Sequence, residues 1–269
     1  MKKKIKLILK IIIIILAIYL LCFAGYFGNK LAKYNKLVIS KKEALGGESY
    51  KIVRKAERVM PEGPETTQIG IVKGDKSCFE IISEYTDDVI ANSNGLIKNY
   101  HGIMYFEKDN NSSSMYGSHQ VFVNEDEKYF VLTENMLATD MMVTGLYPNA
   151  NEFSYLGGYE MNLREKYYYY SSLFPWIVSM KFYDEEDNGK IVFIAESDRS
   201  SFSGSGDDRE YNRVKTYYDK DTMIPYKQVK VKPDGTEKLL YTFEFSKDTV
   251  TDEEVNVPDL SNYRQMLEI

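Results

Sequence analysis

Residues 225–246 read PYKQVKVKPDGTEKLLYTFEFS, and this stretch decides the fold. Val229 and Val231 alternate with Lys230 and Lys232. In the following run Leu239, Tyr241, Phe243 and Phe245 share one face, and Thr242 and Glu244 share the other. Pro233-Asp234-Gly235 joins the two runs as a hairpin turn, because Gly accepts the positive φ a tight turn needs. A period of two on both sides of a turn means an antiparallel sheet with one apolar face and one wet face.

The same period continues upstream. Residues 213–219 (RVKTYYD), 190–197 (KIVFIAES) and 177–183 (IVSMKFY) read as strands. Between the last two, Asp184-Glu185-Glu186-Asp187-Asn188-Gly189 starts like a calcium loop. Ala195 stands where such a loop needs a bidentate Glu, so the stretch reads better as an acidic hairpin turn. Further upstream, 67–73, 78–85, 100–107, 118–123 and 128–133 are strands separated by polar turns. Residues 49–60 (SYKIVRKAERVM) place Ile52, Val53, Ala56, Val59 and Met60 at helical spacing, which predicts an amphipathic helix ended by Pro61. Helical patterns also cover 135–147 and 159–174. The latter holds Tyr167 to Tyr170, which cannot all face one side, so some lie on a surface or line a groove. The fold class is α+β, a strongly curved antiparallel sheet with helices against it.

Within 214–245, Tyr218-Asp219, Thr222, Pro225 and Asp234-Gly235 follow one another as strand, turn, strand and hairpin. This pattern resembles the LolA-like/RseB-like superfamily of lipoprotein carriers and sensors. The end VNVPDLSNY, 255–263, is similar to tails of membrane-anchored members from Gram-positive bacteria. The resemblance implies a half-open β-barrel with helices on its concave face. It implies an acyl chain or other apolar ligand held between sheet and helices, or that surface presented to a protein partner in the envelope. Phe193, Tyr218, Val229, Val231, Tyr241 and Phe243 are the expected sheet side of such a cavity, and helix 159–174 with Tyr168 and Trp176 the expected cover. A filled core is the competing reading of the same residues.

The N-terminus is of another kind. Ile11 to Gly28 (IIIIILAIYLLCFAGYFG) carries no charge. At about 1.5 Å per residue it covers about 27 Å of a hydrocarbon core about 30 Å thick. A retained anchor is the first reading; a cleaved signal ending at Cys22-Phe23-Ala24 and a lipidated Cys22 are the others. Five Lys precede the span and five follow it, so the count alone sets no orientation. A short basic head favours 1–10 inside, 11–28 across, a basic stalk over 29–48, and 49–269 as an extracytoplasmic domain. In the stalk, Leu31, Tyr34, Val38 and Leu45 fall near one helical face, and its Lys residues would meet anionic headgroups.

Charge divides the chain at the same place. Residues 1–42 hold ten Lys and no other charged residue, whereas the remaining 227 hold 24 basic and 40 acidic groups, a net charge of −16. An acidic body excludes nucleic acid as a partner, because phosphate affinity comes from cations. No enzyme signature stands out. His101 and His119 lack neighbouring ligands at metal spacing, and Phe202-Ser203-Gly204-Ser205-Gly206 is neither a nucleophile elbow nor a phosphate loop. No cofactor is expected.

Overall fold

The structure, a computed structural model, describes residues 2–58, 62–108, 116–137, 146–147, 177–198 and 210–266. Helix α1, Lys2–Leu45, is continuous, with no Pro to break it. It stops at Gly46-Gly47, where Gly47 takes φ 140°, a conformation closed to other residues.

Twelve strands follow. They are β1 (Ser49–Ala56), β2 (Glu65–Lys73), β3 (Lys76–Glu84), β4 (Tyr100–Lys108), β5 (Tyr116–Asn124) and β6 (Tyr129–Leu137). Then come β7 (Lys181–Asp187), β8 (Lys190–Asp198), β9 (Arg213–Asp219), β10 (Pro225–Val231), β11 (Glu237–Lys247) and β12 (Arg264–Met266). A short helix, α2 (Asp87–Asn92), is capped by Thr86, whose side chain accepts from the Val89 N–H. All the strands form one open sheet in the order β12-β6-β5-β4-β3-β2-β1-β11-β10-β9-β8-β7. Two meanders, β1 to β6 and β7 to β11, are joined where β1 pairs with β11, Ile52 opposite Phe245. Every pairing is antiparallel except that of β12 with β6, which makes the sheet mixed rather than purely antiparallel.

One face of the sheet receives α1. Tyr34 and Leu37 of the helix pack with Phe182, Phe193, Tyr218 and Met223, and Phe27 and Leu31 flank them. Two turns on, Ala44 packs with Tyr50, Ile52, Phe79 and Tyr147. The far face has two covers. Over β2 to β5, the segment after β11 lays Val250, Val255, Leu260 and Tyr263 on Ile71, Cys78, Ile103 and Val123. Over β8 to β11, the cluster of Ile194, Tyr217, Val229 and Val231 is roofed by charge. There Glu196 accepts from Tyr183 at 2.7 Å, Arg213 at 2.9 Å and Lys181 at 3.3 Å. Glu237 accepts from Tyr217 and Lys215, and Asp187 accepts from Tyr226 and Lys227.

Several local expectations are corrected. Residues 49–56 are strand β1, not a helix: Tyr50 and Ile52 alternate inward, and pairing on both sides outweighs the helical spacing. Ile177 to Ser179 form a helical turn, and β7 starts at Lys181. It then runs through the expected acidic turn to Asp187, leaving a two-residue hairpin at Asn188-Gly189, both with positive φ. The helical stretch expected over 135–147 begins inside β6, and 159–174 lies outside the described residues. In α1, Leu37 rather than Val38 faces the sheet.

Candidate functional site

The helix face of the sheet is the candidate ligand site, and α1 is its wall. The helix is tied down at both ends of its sheet-bound half. Lys30 Nζ donates to the Val178 carbonyl at 2.5 Å and Lys33 Nζ to the Phe182 carbonyl at 3.1 Å. Near the other end, Lys247 Nζ of β11 donates to the Glu43 carbonyl at 2.8 Å. The basic side of the expected stalk is therefore divided: Lys30 and Lys33 are partly buried on the protein, while Lys36 and Lys42 face solvent.

The seam between the two apolar clusters carries polar groups. Tyr147 packs with Ile52 and Ala44, and its hydroxyl donates to the Met223 carbonyl of the other cluster at 3.4 Å. Burial pushes the Tyr147 phenol above its ordinary pKa. Lys41 of α1 lies 5.5 Å from the centroid of that ring. Its Nζ is buried and has no hydrogen-bond partner among the described residues. Arg54 of β1 lies 4.8 Å above the Tyr241 ring and donates from Nε to Gln68 Oε1 at 2.8 Å, and from Nη2 to the same oxygen. Burial pulls the Arg54 pKa down, against Tyr241, which raises it.

The expected site residues are divided between the faces. Phe193 and Tyr218 meet edge to face at 6.3 Å beneath α1. Phe243 is buried and Tyr241 half-buried on the same face, their rings 6.2 Å apart. Val229 and Val231 belong to the far-face cluster instead. The reason is a bulge: Gln228 pairs with Tyr241 but Val229 pairs with Leu239, so Leu240 is extra and the alternation of β11 reverses there. Leu239 accordingly packs with Val229, away from Tyr241. Tyr168 and Trp176 lie outside the described residues. Tyr34, Leu37, Lys41, Arg54 and Gln68 were not legible as site residues; only the apolar spacing at Leu31 and Tyr34 signalled a buried side of α1.

Other features are structural. His101 Nε2 and Glu80 Oε1 lie 2.6 Å apart, within hydrogen-bond distance, across β3 and β4. Among the described residues no group of three or more His, Cys, Asp or Glu is placed to hold a metal ion. Three carboxylates of the acidic β7 segment are paired, Asp184 with Lys220, Glu185 with Lys215 and Asp187 with Lys227. A groove beside the C-terminal segment, lined by Tyr105, Val121 and Val255, encloses about 80 Å³. Small-molecule sites typically need about 300–1,000 Å³, so this groove is not one.

No protein-family model matches the chain, and no curated protein does. Several solved structures are similar. One is an uncharacterized conserved protein from Thermus thermophilus, at 6% identity over 88% of this chain and 99% of that one, with a TM-score of 0.41. Another is a chain of the Pseudomonas aeruginosa MucA/MucB complex, at 10% identity and a TM-score of 0.31, covering 86% of this chain and 62% of that one. A third is a putative outer membrane lipoprotein-sorting protein domain from Vibrio parahaemolyticus, at 12% identity and a TM-score of 0.28, covering 82% of this chain and 95% of that one.

Proposed function

We propose that this chain is a single-pass membrane-anchored binding protein whose extracytoplasmic domain holds a lipid or other apolar ligand between the sheet and α1. Residues 1–10 form the cytoplasmic head and 11–28 the span. The observation that carries the reading is the continuity of α1. The same helix that is long and apolar enough to cross a membrane forms a wall of the sheet's apolar face. Phe27, at the end of the 18-residue apolar run, already packs against the cluster that contains Phe193 and Tyr218. An acyl chain leaving the bilayer along α1 therefore meets aromatic and aliphatic side chains without crossing water, and its transfer costs little. Native mass spectrometry of the full chain extracted from a host membrane tests this. The expected result is a stoichiometric lipid adduct; a bare chain under conditions that preserve the fold contradicts it.

A second reading has its own support. Ile177, Met180, Tyr218 and Met223 are almost completely buried, so α1 closes tightly on this end of the sheet. A domain closed throughout would serve as a sensor module that binds a protein partner and carries no cargo. The bare chain is its expected result in the same experiment.

A further inference from the structure

Strand register sorts charge across the sheet. On β1 to β4 and β8 to β11, every Asp and Glu points away from α1; at the β7 edge Asp184, opposite Phe193 and paired with Lys220, and Glu186 lie on the helix side. Glu65 pairs with Glu84, and Glu80 with Ile103, on the far face. Glu244 opposes Val53, Glu237 opposes Val231, and Glu196 opposes Lys215 on that same face. The face under α1 has no carboxylate on these eight strands, although the body as a whole has a net charge of −16. It does carry cations. Arg54 alternates with Ile52, which packs with Ala44 of α1, so its side chain lies on the helix side. Lys41 comes one turn before Ala44 and one turn after Leu37, at the seam of the two apolar clusters.

A buried ammonium without a counter-charge or acceptor is costly, and a carboxylate or phosphate brought beside it offsets that cost. Tyr241 and Phe243 on the same face fit a hydrocarbon tail. We infer that the ligand of the helix face is an anionic lipid, its carboxylate or phosphate head held by the Lys41 ammonium within the field of the Arg54 guanidinium. This rests on the proposed binding function and names the ligand class that the site selects.

The test compares oleate with methyl oleate, which share a chain and differ in head charge, on the full chain in neutral detergent by native mass spectrometry, with inorganic phosphate as a third probe. The expected result is oleate retained on the order of tenfold more than the ester, as a charge-assisted hydrogen bond provides. Lys41→Met should bring the ratio to about one, with hydrogen-exchange protection of the β8 and β9 amides showing that the variant is folded. Arg54→Gln should lower the ratio less, because Gln68 already occupies part of that guanidinium. Equal retention of acid and ester by the unaltered chain overturns the anionic head and leaves the apolar site standing. Retention of neither overturns the binding function itself. Phosphate retained without either lipid overturns the lipid in favour of a soluble anion. A ratio that Lys41→Met does not change overturns the assignment of Lys41.

Discussion

Leu37→Ala separates a helix that builds the domain from a helix that merely tethers it. Leu37 is 8% exposed among Phe182, Phe193, Tyr218 and Met223, whereas its neighbour Val38 is 40% exposed. Truncating a buried Leu costs about 2–5 kcal/mol from lost transfer energy and the cavity left behind. The low end, about 2–3 kcal/mol, applies because Leu37 keeps 8% exposure, so part of its side chain is still solvated before truncation. Val38→Ala should cost under about 0.5 kcal/mol, as exposed substitutions do. The assay is hydrogen exchange of the β8 and β9 amides in the full chain held in neutral nanodiscs. A loss of about 2–3 kcal/mol lowers their protection roughly 30–150-fold. If Leu37→Ala leaves protection within about threefold of the unaltered chain, or if Val38→Ala lowers it as much, α1 is a solvated stalk and the site has no wall.

Other outcomes follow from single contacts. The Glu196 carboxyl feels burial that raises its pKa, but hydrogen bonds from Tyr183, Arg213 and Lys181 prevail and hold it below the ordinary 4.5. A depressed acid contributes stability above its unfolded pKa and loses it as pH falls through the folded one. Chemical denaturation should therefore show Glu196→Gln less stable by about 2 kcal/mol at pH 7, with the difference shrinking below about pH 4.5. Burial pushes the Cys78 thiol up to about 12, so iodoacetamide at pH 8 should label Cys78 only after unfolding or after removal of residues 248–269, among which Val250, Val255, Leu260 and Tyr263 pack over it. Labelling of Cys78 in the native chain at the rate of a free thiol would contradict that packing. Gly189 sits at φ 77° with open space at its missing Cβ, so Gly189→Val should cost about 1–2 kcal/mol in urea unfolding, from backbone strain alone.

Much of this fold is legible where the pattern is local. The Asp234-Gly235 hairpin, the strand at 213–219 and the helix stop at Gly46-Gly47 each follow from residues within a turn of one another. What is not legible depends on distant partners. Residues 49–56 satisfy helical and strand periods alike, and their strand state is set by β11, from the other end of the domain. The face of Val229 and Val231 turns on one extra residue, Leu240, which a strict alternation cannot reveal. The lysines of 30–41 look like a solvated side, yet three of them approach protein groups: Lys30 and Lys33 reach backbone carbonyls, and Lys41 lies near Tyr147. α2 and β12 are too short to leave a periodic signal.

The central claim, an apolar ligand held between α1 and the sheet, is tested most directly by light-driven capture in living cells. Benzoylphenylalanine placed at Tyr241, half-buried on the helix face, should form on illumination an adduct of one lipid mass on the intact chain. The same probe at Leu96, exposed in the turn after α2, should not. Equal lipid capture at both positions, or none at Tyr241, would contradict the claim.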